Sequence, residues 1–273
     1  MPTICNLNPR SVYNKIDEFH TFVEEEEVDV IFISESWERD YLPLNQIIKL
    51  DNHTVISNVS QRKGAGGRPA IVANSSKYQV QNLTNTVVQI PWGVEAVWCV
   101  LTPHIVTHDS KIQKIACCAL YSKPFSNRKT LTVDHISDAF NLLSTKYGRG
   151  LHFILAGDTN DLNLNPILSL TPNFNQIVKK WTRMDPPAIL DPIITTLAHF
   201  YQEPVCLEPL DADHDKNGKP SDHKIVLARA ITTINNKSTR QTKEIKVRPF
   251  PESGMQKMKE WLIDHTWDEV FIC

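Results

Sequence analysis

Residues 151–156 form an apolar run, Leu151 to Ala156, that stops abruptly at Gly157-Asp158-Thr159-Asn160. A run of this kind is a buried strand, and a buried strand commits the chain to a layered architecture with its sheet covered. In extended geometry, side chains at i and i+2 share a face. Asp158 and Asn160 therefore emerge together at the strand exit, and Gly157 lets the backbone turn or be approached closely. Strand ends and the loops after them are where layered α/β proteins place chemistry. The plain alternative is a turn in which both side chains satisfy backbone groups.

The rest of the chain supplies further exits of the same kind. Thr3 to Leu7 reads as a short strand that ends before Asn8-Pro9-Arg10-Ser11. Ser11 is placed to cap a helix, and Val12, Ile16, Phe19 and Val23 recur at helical spacing, predicting an amphipathic helix over 12–27. Val28 to Ile33 is an apolar run rich in β-branched residues that leaves the core at Ser34-Glu35-Ser36-Trp37. Strands follow at 69–73, 96–101 and 114–120, the last ending at Tyr121-Ser122-Lys123. Val133, Ile136, Phe140 and Leu143 mark a second helix closed near Gly148. Beyond a loop-rich stretch from Leu162 to Pro187, strands are expected at 188–196 (with Asp191), 204–210 and 224–231, the last preceded by Ser221-Asp222-His223.

Composition narrows the setting. A formal charge of −2 over 273 residues gives no global basic field, so a polyanion would have to meet a local patch. None of the six cysteines forms a CxxC pair, and Cys5, Cys99, Cys117 and Cys118 sit inside apolar runs, as buried reduced thiols do. No signal pattern or membrane-spanning run is evident, so a soluble protein of a reducing compartment is expected. After Ile231 the character changes. Residues 232–248 are polar and basic without an apolar period, and Glu252 to His265 could form a short helix. The expected division is thus a domain over 1–231 and a basic linker with a short helix over 232–273.

Asn8, Glu35, Tyr121, Asp158, Asn160, Asp191, Asp222 and His223 all fall at or near the ends of expected strands. Two sheets packed face to face could gather such ends on one rim. The set is acid-rich, with one imidazole and several amide or hydroxyl groups, and lacks a thiol nucleophile or a Gly-x-Ser-x-Gly elbow. That inventory suits attack by water on a phosphodiester under a hard divalent cation. Simpler roles stay open residue by residue: Tyr121 as a strand end, and His223 with Asp191 as a structural pair.

In this order the motifs resemble the endonuclease/exonuclease/phosphatase superfamily. More narrowly, Asn8-Pro9-Arg10-Ser11-Val12 with Asn14-Lys15, then Ile33-Ser34-Glu35-Ser36-Trp37, resemble the apurinic-like endonuclease domain of non-LTR (LINE-type) retrotransposons. Arg248-Pro249-Phe250-Pro251-Glu252-Ser253 is similar to the connector before their reverse transcriptase.

The resemblance implies an α/β fold of two packed, mostly antiparallel β-sheets flanked by helices, a four-layer α/β/β/α sandwich like deoxyribonuclease I. It also implies an Mg²⁺ cofactor, with Mn²⁺ able to substitute, held by Glu35 and Asp222. Asp158 would orient or deprotonate the water, with Asn160 and Asn8 on phosphate oxygens or supporting that network. Asn8 is preferred to Asn6 because Pro9-Arg10-Ser11 follows it. His223, oriented by Asp191, would stabilise the transition state, and Tyr121 would bond a phosphate oxygen.

The implied partner is double-stranded DNA, met by Arg10, Arg62, Lys63, Arg68 and Lys123, at a nuclear site and without a membrane. The implied activity is nicking that leaves a 3′-hydroxyl for target-primed reverse transcription by a reverse transcriptase of the same polyprotein. Arg10 stands where abasic-site enzymes carry a second acid, which disfavours strong abasic-site activity. The alternatives are a phosphodiesterase or phosphatase acting on non-DNA phosphoesters, or a decayed DNA-binding copy.

Overall fold

The computed structural model describes residues 1–58, 67–105, 112–210 and 221–231, and Lys257. Arg62, Lys63, the polar turn at 211–220, and the expected linker and short helix of 232–273 lie outside these.

Two six-stranded sheets carry the fold. The first contains β1 (Ile4–Leu7), β2 (Val30–Ile33), β3 (His53–Ser57), β4 (Ala70–Asn74), β13 (Val205–Leu207) and β14 (Ile225–Ala228), in the order β13-β14-β1-β2-β4-β3. The second contains β5 (Tyr78–Asn82), β6 (Glu95–Pro103), β7 (Lys114–Tyr121), β8 (Leu151–Asp158), β9 (Asn175–Gln176) and β12 (Ile193–Thr195), in the order β5-β6-β7-β8-β12-β9. β10 (Arg183–Met184) and β11 (Pro187–Ala188) form a small ribbon apart from both.

The apolar runs carry no polar alternation because each sheet is covered on both faces. Along β6, Val97, Cys99 and Leu101 join the layer between the sheets, with Phe32, Ile71, Cys117 and Ile154. The intervening Trp98 and Val100 face the other way, into a layer with Ile136, Ala139 and Leu143 of α3 (Lys129–Tyr147) and with Ile167 of α4 (Asn165–Leu168). On the far side, Ile31 and Ile33 pack with Phe19 and Val23 of α1 (Ile16–Glu25) and Leu44 of α2 (Leu44–Ile47). The result is the α/β/β/α sandwich, with four cysteines (Cys5, Cys99, Cys117, Cys118) buried and free in its core.

Each sheet has one parallel pair at its centre. β1 and β2 are parallel with α1 between them in sequence, and β7 and β8 are parallel with α3 between them. Parallel strands need such a crossover, and they finish at the same edge. The other pairings between named strands, among the described residues, are antiparallel. β14 runs antiparallel to β1, and β12 antiparallel to β8. Each therefore enters its sheet where its parallel neighbour leaves. This connectivity, more than any single motif, puts the polar exits on one rim.

Several details differ from the sequence reading, among them short elements α4, β9 and β10 inside the stretch expected to be loop-rich. α1 begins at Ile16, not Val12, and Ser11 does not cap it. Arg10 and Ser11 hold positive φ (49° and 89°), and the N–H groups of Ser11 and Val12 donate to the carbonyls of Glu35 and Ser36. The segment is pinned to the exit of β2 and cannot wind into the helix. The strand expected over 188–196 splits into β11 and β12, because the N–H groups of Leu190 and Asp191 turn to the Thr182 hydroxyl. β3 and β5 were not foreseen: both are edge strands with half-exposed faces, so neither shows an apolar run. The strands expected over 204–210 and 224–231 are shorter, Val205–Leu207 and Ile225–Ala228.

Gly157 is where the two sheets and the β7–β8 ladder meet. Its φ is 151°, and a Cβ there would lie 1.8 Å from the Leu120 carbonyl oxygen. Its own carbonyl accepts from Asn6 Nδ2, which also donates to Pro192 O. Gly157→Ala is therefore expected to destabilise by about 3 kcal/mol or more, read as a lowered thermal midpoint. A midpoint unchanged within error would contradict the close approach.

Candidate active site

The rim gathers the expected residues around Asp158, which is 1 % exposed. Asp158 Oδ2 accepts from Asn8 Nδ2 at 2.9 Å, and Oδ1 from the Asn160 backbone N–H at 3.0 Å. Asn160 holds φ at 45° and donates its side-chain amide to Ser122 O, which fixes the turn after β8. His223 Nε2 lies 3.9 Å from Asp158 Oδ2, and its Nδ1 is 2.8 Å from Asp191 Oδ2. Asp222 Oδ1 is 4.0 Å from His223 Nε2 and 3.4 Å from an Arg10 guanidinium nitrogen.

Glu35 follows β2, and its charge is felt at Asp158. Its Oε2 accepts from the Trp37 indole N–H at 2.9 Å. Tyr121 ends β7 directly beside Asp158 in the parallel register. Asn6, the alternative to Asn8, is fully buried and spends its amide on bridging the sheets one pleat below.

The cations expected to meet DNA are less uniform. Arg10 is half-exposed and paired to Asp222. Lys123 is exposed just beyond Tyr121. Arg68 is only 9 % exposed, with its guanidinium 3.3 Å from Asp40, so it forms part of a pocket wall and not an open cationic surface.

Three further residues hold this arrangement. Thr182 Oγ1, fully buried, accepts from the backbone N–H groups of Leu190 and Asp191 and so sets the Asp191 carboxylate. Ser221 donates its hydroxyl to Asn8 O and accepts from His223 N–H, tying β14's entry to β1's exit. Trp37, at φ 52°, fixes one oxygen of Glu35. Trp37 and Ser221 stand inside the motifs Ser34-Glu35-Ser36-Trp37 and Ser221-Asp222-His223, but the bonds that Thr182 and Ser221 make depend on how separate segments meet.

Burial and charge shift the titrations. Burial, then the neighbouring Asp191 charge, raises Asp158 from 3.8 to about 7. Burial pulls His223 down, but the Asp191 hydrogen bond and the charges of Asp191, Asp158 and Asp222 outweigh it, leaving the imidazole raised from 6.5 to about 9. Both folded groups hold protons that the unfolded chain has released, so both make stability fall as pH rises. The Asp158 contribution is lost between about 4 and 7; that of His223 is present below about 6.5 and lost as pH passes through about 9. The thermal midpoint in a chelating buffer is therefore expected to fall from pH 5 to pH 9. Asp158→Asn should flatten the part below pH 7; an unaltered slope there would contradict the assignment.

Donor atoms of Asp158, Asp191 and His223 lie within 4.8 Å of one another, close enough to enclose a metal ion. Their bonding argues for a different role. Both Asp158 oxygens already accept hydrogen bonds, and His223 Nδ1 is engaged with Asp191. An imidazole raised to about 9 is itself a cation at neutral pH. Glu35 fits a hard cation better, because its Oε1 has no hydrogen bond among the described residues; Asp222, half-exposed, could join it only by sharing its carboxylate with Arg10.

No protein-family model matches the chain, and no curated protein matches its sequence. Solved structures do resemble it. An AP endonuclease from Archaeoglobus fulgidus superposes with a TM-score of 0.57 at 12 % identity, over 85 % of this chain and all of that one. The endonuclease domain of a telomere-specific non-LTR retrotransposon gives 0.56 at 13 % identity, over 84 % and 97 %. A 3′-5′ exonuclease from Neisseria meningitidis gives 0.57 at 12 % identity, over 84 % and 99 %. The fold is thus the two-sheet α/β sandwich of endonuclease/exonuclease/phosphatase structures. No helix among the described residues is long and apolar enough to cross a membrane.

Proposed function

We propose that this chain is a divalent-metal-dependent hydrolase that nicks double-stranded DNA. The observation that carries it is the connected set Asn8–Asp158–His223–Asp191, with Asp222 and Glu35 beside it, at the edge where both parallel strand pairs end. Asp158, held by Asn8 and Asn160, orients a water and takes its proton as oxygen bonds to phosphorus. His223, protonated and oriented by Asp191, faces the charge that builds on the non-bridging oxygens. Tyr121 is placed to donate to another of them. The P–O3′ bond breaks and the leaving oxygen takes up a proton, giving a 5′-phosphate and a 3′-hydroxyl. Glu35 and Asp222 would hold Mg²⁺, which supplies positive charge at the phosphate when bound. Arg10 already pairs with Asp222, so Glu35 would be the main ligand.

The 3′-hydroxyl is a primer, and we assign residues 232–273 to a linker toward a reverse transcriptase acting in the nucleus. The Asn8-Pro9-Arg10-Ser11 motif and the likeness to a retrotransposon endonuclease domain support this.

Supercoiled plasmid and soluble phosphoesters, each with Mg²⁺ or chelator, test the proposal. Plasmid is expected to relax with Mg²⁺ only, and Glu35→Gln to slow relaxation about tenfold or more at limiting Mg²⁺. Faster turnover of soluble phosphoesters, or relaxation unaffected by Glu35→Gln, would reject it.

A further inference from the structure

Beside Glu35 lies a pocket of about 330 Å³ that the reaction above does not use. Its walls carry two aromatic rings, Trp37 and Tyr41, two guanidinium groups, Arg39 and Arg68, and two carboxylates, Glu38 and Asp40. The charges balance, so the pocket does not suit a bare phosphate. It suits a flat, neutral ring that both donates and accepts hydrogen bonds.

The polar groups are held in place before any ligand arrives. Arg39 lies 4.5 Å over the Tyr13 ring and donates to the Tyr41 hydroxyl at 3.3 Å. Glu38 is 1 % exposed; its Oε1 accepts from Leu44 N–H and the Ser57 hydroxyl, while Oε2 is buried with no hydrogen bond among the described residues. Glu38 is thus sealed into the wall, and Asp40, 74 % exposed and 3.3 Å from the Arg68 guanidinium, is the carboxylate of the lining that an entering group can reach. Trp37 and Arg68 also hold φ at 52° and 62°, conformations that L-residues keep only where the surroundings enforce them. Tyr41, 79 % exposed, is left as a stacking surface at the mouth.

We infer that this pocket is a base-specific subsite. It takes one unstacked nucleobase of the strand being cut, a base with an exocyclic amino group, and disfavours thymine. The amino group meets the Asp40 carboxylate, while the ring stacks on Tyr41 and Trp37. Thymine offers a carbonyl at that edge and would set oxygen against oxygen. Because Trp37 also donates to Glu35, the filled pocket adjoins the reacting phosphate. The inference rests on the DNA-nicking reading.

The test is nicking of a supercoiled plasmid library randomised around a cut site, with base frequencies read on both sides of each nick. The wild type is expected to select against thymine about fivefold or more at one position within about two nucleotides of the cut. Asp40→Asn, whose amide can donate to a thymine carbonyl, should reduce this below about twofold. Tyr41→Ala should weaken selection at the same position. Asp40 and Tyr41 are 74 % and 79 % exposed, so both variants should fold.

Nicking without selection at those positions, or selection unchanged in both variants, would overturn the subsite while leaving the nuclease standing. An equal loss on every sequence would assign the residues to the scaffold and also overturn it. A wild type that nicks nothing would remove the nuclease reading and this inference with it.

Discussion

Asp158→Asn is expected to slow nicking by about three orders of magnitude at pH 8. The substitution keeps the shape but removes the base. It also disturbs the hydrogen bonds, because both carboxylate oxygens accept from N–H donors, Asn8 Nδ2 on one and Asn160 N on the other. An amide has one oxygen, so one of these donors meets an NH₂ group. That loss is offset in part by removing a buried charge whose pKa burial has already raised. The variant should therefore fold with a thermal midpoint near the wild type while losing turnover. Single-turnover relaxation of supercoiled plasmid checks it; a loss smaller than about tenfold would take Asp158 out of the chemistry.

His223→Ala is expected to cost about two to three orders of magnitude in the same assay, the range for removing one preorganised donor from a transition state. Here stability falls too. Asp191 is fully buried, its Oδ2 bonded to His223 and its Oδ1 without a hydrogen bond among the described residues. Deleting the imidazole leaves a buried carboxylate without its cation, a change of about 3 kcal/mol or more. Asp191→Asn separates the two effects: it keeps a neutral partner for the ring but removes the charge that holds the proton on it. Activity should drop more steeply than stability in that variant, and the reverse ordering would make the pair structural.

Much of this site was readable from residue order, and the reason is topological. Glu35, Tyr121 and Asp158 each end or follow a central strand that is apolar on both faces, so the polar residue at its exit stands out; β1 carries Asn6 within it, and Asn8 is marked instead by the Pro9-Arg10-Ser11 that follows. Asp191 and His223 precede strands that enter at the same edge. What was hidden has two causes. The edge strands His53–Ser57 and Tyr78–Asn82 alternate weakly because only part of each is covered. The contacts by which Thr182 sets Asp191 and Ser221 ties Asn8 to His223 depend on how separate segments meet, which residue order does not show. The helix start failed at Ser11 because a long-range pin to Glu35 and Ser36 outcompeted a local cap. Arg10 shows the converse: its presence in place of an acid was visible in sequence, and its ion pair with Asp222 was not.

The central claim is that residues from both sheets act on a single phosphate. Glu35→Gln, His223→Ala and the double variant, compared with the wild type in supercoiled nicking at saturating Mg²⁺, test it most directly. Groups that serve one transition state are strongly non-additive, so the double variant should be little slower than the slower single one. Losses that multiply, or a wild type that leaves the plasmid supercoiled, would contradict the account.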